Sequence, residues 1–87
     1  MPKLVYYVYL VCCADGSLYC GITMDVPRRV LQHNRGTGAK YTRSRRPVHA
    51  VAVSPLMTHG DALRLERAVK RLPKEQKVAA VDRGRVP

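Results

Sequence analysis

Residues 4–13, LVYYVYLVCC, form an unbroken apolar run rich in β-branched and aromatic side chains, and ADGS follows at once. A run of that composition ending in turn residues reads as a strand. The next short run, LYCGIT at 18–23, is then its antiparallel hairpin partner. The first run is about half the length a membrane span needs, so it reads as buried, and no membrane association is expected. The N-terminal residues lack the charged, apolar and small-residue pattern of an export leader, which gives a cytoplasmic expectation.

The rest of the chain supplies helices and one more strand. Asp25 suits a helix N-cap, Pro27 a first helical turn and Gly36 a stop, which predicts a helix over 26–34. Residues 35–47, RGTGAKYTRSRRP, have no apolar periodicity and read as a basic loop. The alternation in VHAVAV predicts a third strand over 48–53. Thr58 with Asp61 three residues on has the form of a capping box, and apolar residues at helical spacing follow. Pro73 interrupts that helix, and KEQKVAAV forms a short final one before a basic tail, 82–87, expected to fray. The expected fold class is α+β in the order ββαβαα, within a single domain whose core spans about residues 4–80.

Charge points to the partner. Sixteen Lys and Arg against six Asp and Glu give a net charge of +10, a field that suits a polyanion and nucleic acid first. Cys12, Cys13 and Cys20 lack paired metal-ligand spacing and read as small apolar residues of a reducing compartment. No obligate protein partner is evident, and a monomer is expected.

Of the six acids, Asp15 has a turn role, Asp25 and Asp61 capping roles, Glu75 a place in a first helical turn, and Asp82 a place in the tail. Glu66 has no such explanation. On a helical wheel it falls about 40° from Ala62, inside the apolar arc, where a carboxylate must be paired or hold a metal. Lys70, one turn on, is the pairing candidate.

Tyr9, Tyr19 and Arg29 follow one another at ten-residue intervals on the first strand, second strand and first helix. If Ala14, Asp15 and Gly16 form a three-residue loop, Val11 faces Tyr19 and both tyrosines share a sheet face. A two-residue loop would put them on opposite faces, and both loops suit the sequence. Gly21 reads as a bulge or a point of close approach. Taken singly, strand tyrosines pack and an arginine is solvated; the combination suggests a site.

On these residues the chain resembles the GIY-YIG nuclease superfamily, and most closely its short stand-alone bacterial YhbQ-like group, over about residues 4–80. YVY at 7–9 matches the GIY element and YCG at 19–21, with Gly21, the YIG element. RRVLQHN places Arg29 at the catalytic arginine position with His33 a turn later, and ALRLERAVKRL places Glu66 at the metal-ligand position. Tyr7 stands where the family has a glycine and Cys20 where it has isoleucine. No asparagine follows Asn34, although many nucleases of the superfamily carry one after the glutamate.

The resemblance implies a three-stranded antiparallel sheet flanked by helices, and a phosphodiester hydrolase. In that mechanism Tyr9 or Tyr19 orients or deprotonates water, with His33 or Lys40 as relay. Arg29 stabilises phosphoryl charge, and one Mg²⁺ or Mn²⁺ on Glu66 stabilises the leaving oxygen. Arg28, Arg35, Lys40, Arg43, Arg45 and Arg46 would hold phosphates, with Tyr41 offering a stacking surface and DNA expected over RNA. The alternative is a nucleic-acid-binding module of the same fold that cleaves weakly or not at all.

Overall fold

The structure, a computed structural model, describes residues 2–86. Two strands, β1 (Tyr7–Cys12) and β2 (Leu18–Thr23), lead into α1 (Val26–Arg35) and the single turn α2 (Lys40–Arg43); β3 (His49–Val53), α3 (His59–Lys70) and α4 (Lys74–Arg83) complete the chain. The sheet is antiparallel in the order β2-β1-β3, with the apolar first strand in the middle, as its two-sided burial requires. No helix among the described residues is long and apolar enough to cross a membrane.

Side chains alternate across β1, so each sheet face has its own core. Val8 and Leu10, with Cys20 and Ala52 from the neighbouring strands, pack on Ala62, Leu65 and Val69 of α3 and Ala80 and Val81 of α4. Tyr9, Val11 and Cys13 point the other way, packing with Val48, Tyr19 and the α1 residues Val26 and Val30. The apolar faces of α1 on one side and α3 and α4 on the other thus cover the sheet. A bulge between Leu10 and Val11 lets β3 keep pairing while its register shifts.

Helix ends follow the residues that suit them. The Asp25 carboxylate accepts the Arg28 N–H at 3.1 Å, and Gly36 closes α1 at φ 82°. Thr58 caps α3 by accepting the Asp61 N–H at 3.1 Å, but only half of the expected capping box forms, because the Asp61 carboxylate turns to Arg64.

Several boundaries differ from the sequence reading; the first helix runs one residue further, to Arg35, and the first strand stops at Cys12 rather than residue 13. The first strand starts at Tyr7 rather than residue 4, since β2 ends opposite Tyr7 and β3 already opposite Tyr9, and only Tyr6 finds a further bridge among the described residues, to Met57. The third strand begins at His49, one residue later than expected. The basic loop contains α2, a turn whose one buried side chain, Thr42, leaves no apolar period to read. The last helix runs to Arg83 and is closed by Gly84 at φ 73°, so Asp82 is helical, and Val86 packs on the core where fraying was expected. Pro87 lies outside the described residues.

Candidate functional site

The hairpin loop decides which face the two tyrosines take. Cys13 N–H donates to the Ser17 carbonyl at 2.8 Å and Gly16 N–H to Cys13 at 2.9 Å, with Gly16 at φ 84°. This is the three-residue loop, with Val11 opposite Tyr19 and Tyr9 opposite Gly21. Gly21 is a close-approach glycine: a Cβ there would stand 2.5 Å from the Tyr9 hydroxyl oxygen and 2.7 Å from Cζ. Only a residue without Cβ lets the phenol lie across β2.

Tyr9 is 1% exposed, and its hydroxyl oxygen lies 2.7 Å from Nε2 of fully buried His33. His33 Nδ1 lies 2.8 Å from the Thr42 hydroxyl, itself buried, which donates to the Ala39 carbonyl at 2.9 Å. Burial pushes the Tyr9 phenol up to about 12, against the opposing pull of the neighbouring Arg29 guanidinium. Burial likewise holds the His33 imidazole below its usual value, and the nearby Arg29 charge adds to this. Both groups are therefore neutral at pH 7. Arg29, half-buried on α1, also donates from Nη1 to the Gln32 side-chain oxygen at 3.0 Å.

Tyr19 sits at the rim of this cluster. Its ring meets His33 edge-on, with centroids 5.4 Å apart, and stacks on Tyr41 at 5.9 Å and 24°. Because β2 is an edge strand, α3 reaches the same rim. Lys70 lies 6.0 Å from the Tyr19 ring centroid and pairs with Glu66 at 3.6 Å. The Glu66 side chain is 18% exposed, and its charge adds to burial in raising the Cys20 thiol to about 12. Among the described residues no hydrogen bond joins Glu66 to Tyr9, Tyr19, Arg29 or His33; Lys70 is the link.

The family model of the GIY-YIG catalytic domain matches residues 5–79. The chain belongs to the GIY-YIG family. It is 48% identical over 77 residues to a UPF0213 protein of Nitratidesulfovibrio vulgaris, covering 88% of this chain and 70% of that one. It is 40% identical over 79 residues to a UPF0213 protein of Staphylococcus saprophyticus, covering 91% and 96%. Two solution NMR structures share the fold. A UPF0213 protein from Bacillus halodurans is 45% identical with TM-score 0.53, over 87% of this chain and 81% of that one. A protein from E. faecalis is 40% identical with TM-score 0.59, over 91% and 85%. The GIY-YIG domain places the chain in a nuclease superfamily that acts on nucleic acid and generally uses a divalent metal.

In this GIY-YIG chain no three His, Cys, Asp or Glu side chains gather into a metal-holding set among the described residues. A lone, partly exposed carboxylate does not suit zinc, which takes several protein ligands, but fits Mg²⁺, which keeps most of its waters. Glu66 is the residue that would hold it.

The basic segment divides into two groups. Arg45 pairs with Asp15 at 3.1 Å, donates to the Tyr41 carbonyl at 2.8 Å and covers the Tyr41 ring at 3.9 Å. Arg46 donates to the carbonyls of Arg43 at 2.9 Å and Asn34 at 3.4 Å. These two hold the loop together; Tyr41, 39% exposed, stacks on Tyr19 and lies under the Arg45 guanidinium. Arg28, Arg35, Lys40 and Arg43 are exposed, with no side-chain partner among the described residues.

Sequence reasoning missed Thr42, Gly38 and Asn34. A Cβ on Gly38 would collide with His33 Nδ1 and lie 2.9 Å from its Cα, so this glycine also exists for close approach. The pair of glycines in GTG was the available signal. Asn34 accepts the Val48 N–H at 2.7 Å and donates to its carbonyl at 3.0 Å, acting as a neighbouring strand would; nothing in the sequence marked it.

Proposed function

We propose that this protein is an endonuclease that hydrolyses phosphodiester bonds in nucleic acid, with DNA as substrate and one Mg²⁺ or Mn²⁺ as cofactor. The observation that carries the reading is the convergence of Tyr19, the buried Tyr9–His33 pair and Arg29, with Glu66 reaching the same rim through Lys70. Hydrolysis needs an oriented water, neutralised phosphoryl oxygens and a stabilised leaving oxygen. Tyr19, half-buried at the rim, orients the water. Tyr9, buried and protonated at neutral pH, orients its surroundings rather than ionising. Arg29 neutralises the phosphoryl oxygens, and Arg28, Arg35, Lys40 and Arg43 grip flanking phosphates. A divalent ion held by Glu66 would supply Lewis-acid stabilisation of the leaving oxygen.

One observation favours a second reading. Glu66 is already paired with Lys70, and among the described residues no three His, Cys, Asp or Glu side chains gather around it, which suits a nucleic-acid-binding module without efficient cleavage. Cleavage and binding measured side by side, with and without Mg²⁺ or Mn²⁺, separate the two. The substrates are single-stranded, duplex, flapped and nicked DNA and structured RNA; the proteins are wild type, Arg29→Ala and Glu66→Ala. Metal-dependent cutting that both folded variants lose while still binding supports the enzyme. Binding without cutting on every substrate, indifferent to Glu66→Ala, refutes it.

A further inference from the structure

The buried chain of polar groups behind Tyr9 has a direction. The Thr42 hydroxyl carries one proton, and the Ala39 carbonyl takes it at 2.9 Å. Toward His33, 2.8 Å away, the Thr42 oxygen then acts as an acceptor, so Nδ1 must carry the imidazole proton. Nε2 is left with its lone pair facing the Tyr9 hydroxyl at 2.7 Å, and the phenol donates to it. The opposite tautomer would turn Nε2–H toward Tyr9 and draw the Thr42 hydroxyl to Nδ1; the Ala39 carbonyl would keep the Thr42 N–H at 3.2 Å, but the buried Tyr9 proton would lose its partner, at the cost of an unmade hydrogen bond. The Ala39 N–H, 3.4 Å from Nδ1, stands at the long limit of a hydrogen bond and compensates little.

The backbone around the ring is shaped for this contact. Gly38 has no Cβ because one would overlap Nδ1, and α2 buries a single side chain, Thr42. Tyr9 from β1, Tyr19 from β2, Arg29 from α1 and Thr42 from α2 are the polar and charged groups that face His33.

We propose that Thr42 is a positioning residue of the active site: it fixes His33 in the Nδ1–H tautomer, commits the Tyr9 proton to Nε2 and leaves the Tyr9 oxygen as an acceptor toward Arg29. The catalytic part of this inference rests on the nuclease reading; the tautomer itself does not. A change at buried Thr42 thereby reaches the neighbouring Arg29 through His33 and Tyr9.

The test is long-range ¹H–¹⁵N correlation of the histidine rings at neutral pH in wild type, Thr42→Ser and Thr42→Val, with His33 assigned by comparison with His49→Gln and His59→Gln. Cleavage kinetics are measured on the same proteins. The expected result is Nδ1–H in wild type and Thr42→Ser. Thr42→Val should show Nε2–H or a mixture, with kcat reduced at least about ten-fold and KM unchanged. Nε2–H in wild type overturns the proposal, as does Thr42→Val with the wild-type tautomer and rate. If wild type cuts no substrate, the nuclease reading fails while the ring signals still decide what Thr42 does to His33. If Thr42→Val does not fold, the wild-type and Thr42→Ser tautomers decide.

Discussion

Replacing Gly21 by alanine adds one methyl group and should disturb the centre of the site. The new Cβ would stand 2.5 Å from the Tyr9 hydroxyl oxygen, 2.7 Å from Cζ and 2.9 Å from Cε1. An ordinary van der Waals separation requires the ring to retreat by about 1 Å or β2 to move away from β1. Tyr9 is buried and its hydroxyl is held 2.7 Å from His33, so a retreat either breaks that bond or drives the ring into the core. Overpacking costs about 1–3 kcal/mol, and a buried group left without its hydrogen bond about the same again. A combined loss of about 2–6 kcal/mol in a domain of this size lowers Tm by at least about 8 °C. Thermal unfolding followed by circular dichroism reads the loss directly. Tyr9→Phe in the Gly21→Ala background separates its parts: with the hydroxyl already gone, the alanine should cost at least about 1 kcal/mol less than in wild type. A Gly21→Ala protein melting within about 3 °C of wild type, or strict additivity with Tyr9→Phe, would refute the close-approach argument.

Three further outcomes follow. Tyr9, raised from 10.0 to about 12 in the folded protein, favours folding fully below pH 10; that contribution is lost as pH rises from 10 to about 12, amounting to about 3 kcal/mol. Ultraviolet titration should show one phenol ionising last, with alkaline unfolding in the same window, and Tyr9→Phe should remove that late step; its persistence would assign the step to another tyrosine. Changing Arg28, Lys40 or Arg43 to Gln should weaken binding to all nucleic-acid sequences alike and flatten the salt dependence by about one unit of slope for each phosphate no longer neutralised. Arg45→Gln should instead lower thermal stability, because Arg45 ties Asp15 to the basic segment. A salt slope unchanged in all three surface variants would remove this face from the binding site.

Much of this was readable because the relevant signals are local. The hairpin, the caps at Asp25 and Gly36 and the interruption at Pro73 are short-range choices of residue type, and each stands where the sequence placed it. Glu66 could be singled out because a carboxylate on an apolar arc conflicts with its surroundings. Its pairing with Lys70 is likewise a matter of helical spacing. What stayed hidden depended on residues distant in sequence meeting in space. A threonine within a basic stretch looks solvated, and only the folded chain brings Thr42 against His33. The loop length after Cys13 could not be settled from ADGS alone, since either turn suits it and only the chemistry of the two tyrosines favours three residues, yet it sets which face Tyr19 takes. Arg45 and Arg46 look like their neighbours in composition; their roles are fixed by Asp15 and by the exposed carbonyls they cover.

The core beneath α1 is built around a phenol and an imidazole, where the core beneath α3 and α4 is aliphatic. Both are hydrogen-bonded, yet a buried polar network is at best level with an apolar interior of the same shape. Laboratory evolution for heat resistance without selection for activity would then be drawn to the same place: Tyr9, His33 and Thr42 should give way together to apolar residues of similar volume, whereas piecemeal replacement leaves an orphaned polar atom at each intermediate stage. Such a lineage faces a barrier between two well-packed interiors, so this half of the molecule would change abruptly or not at all.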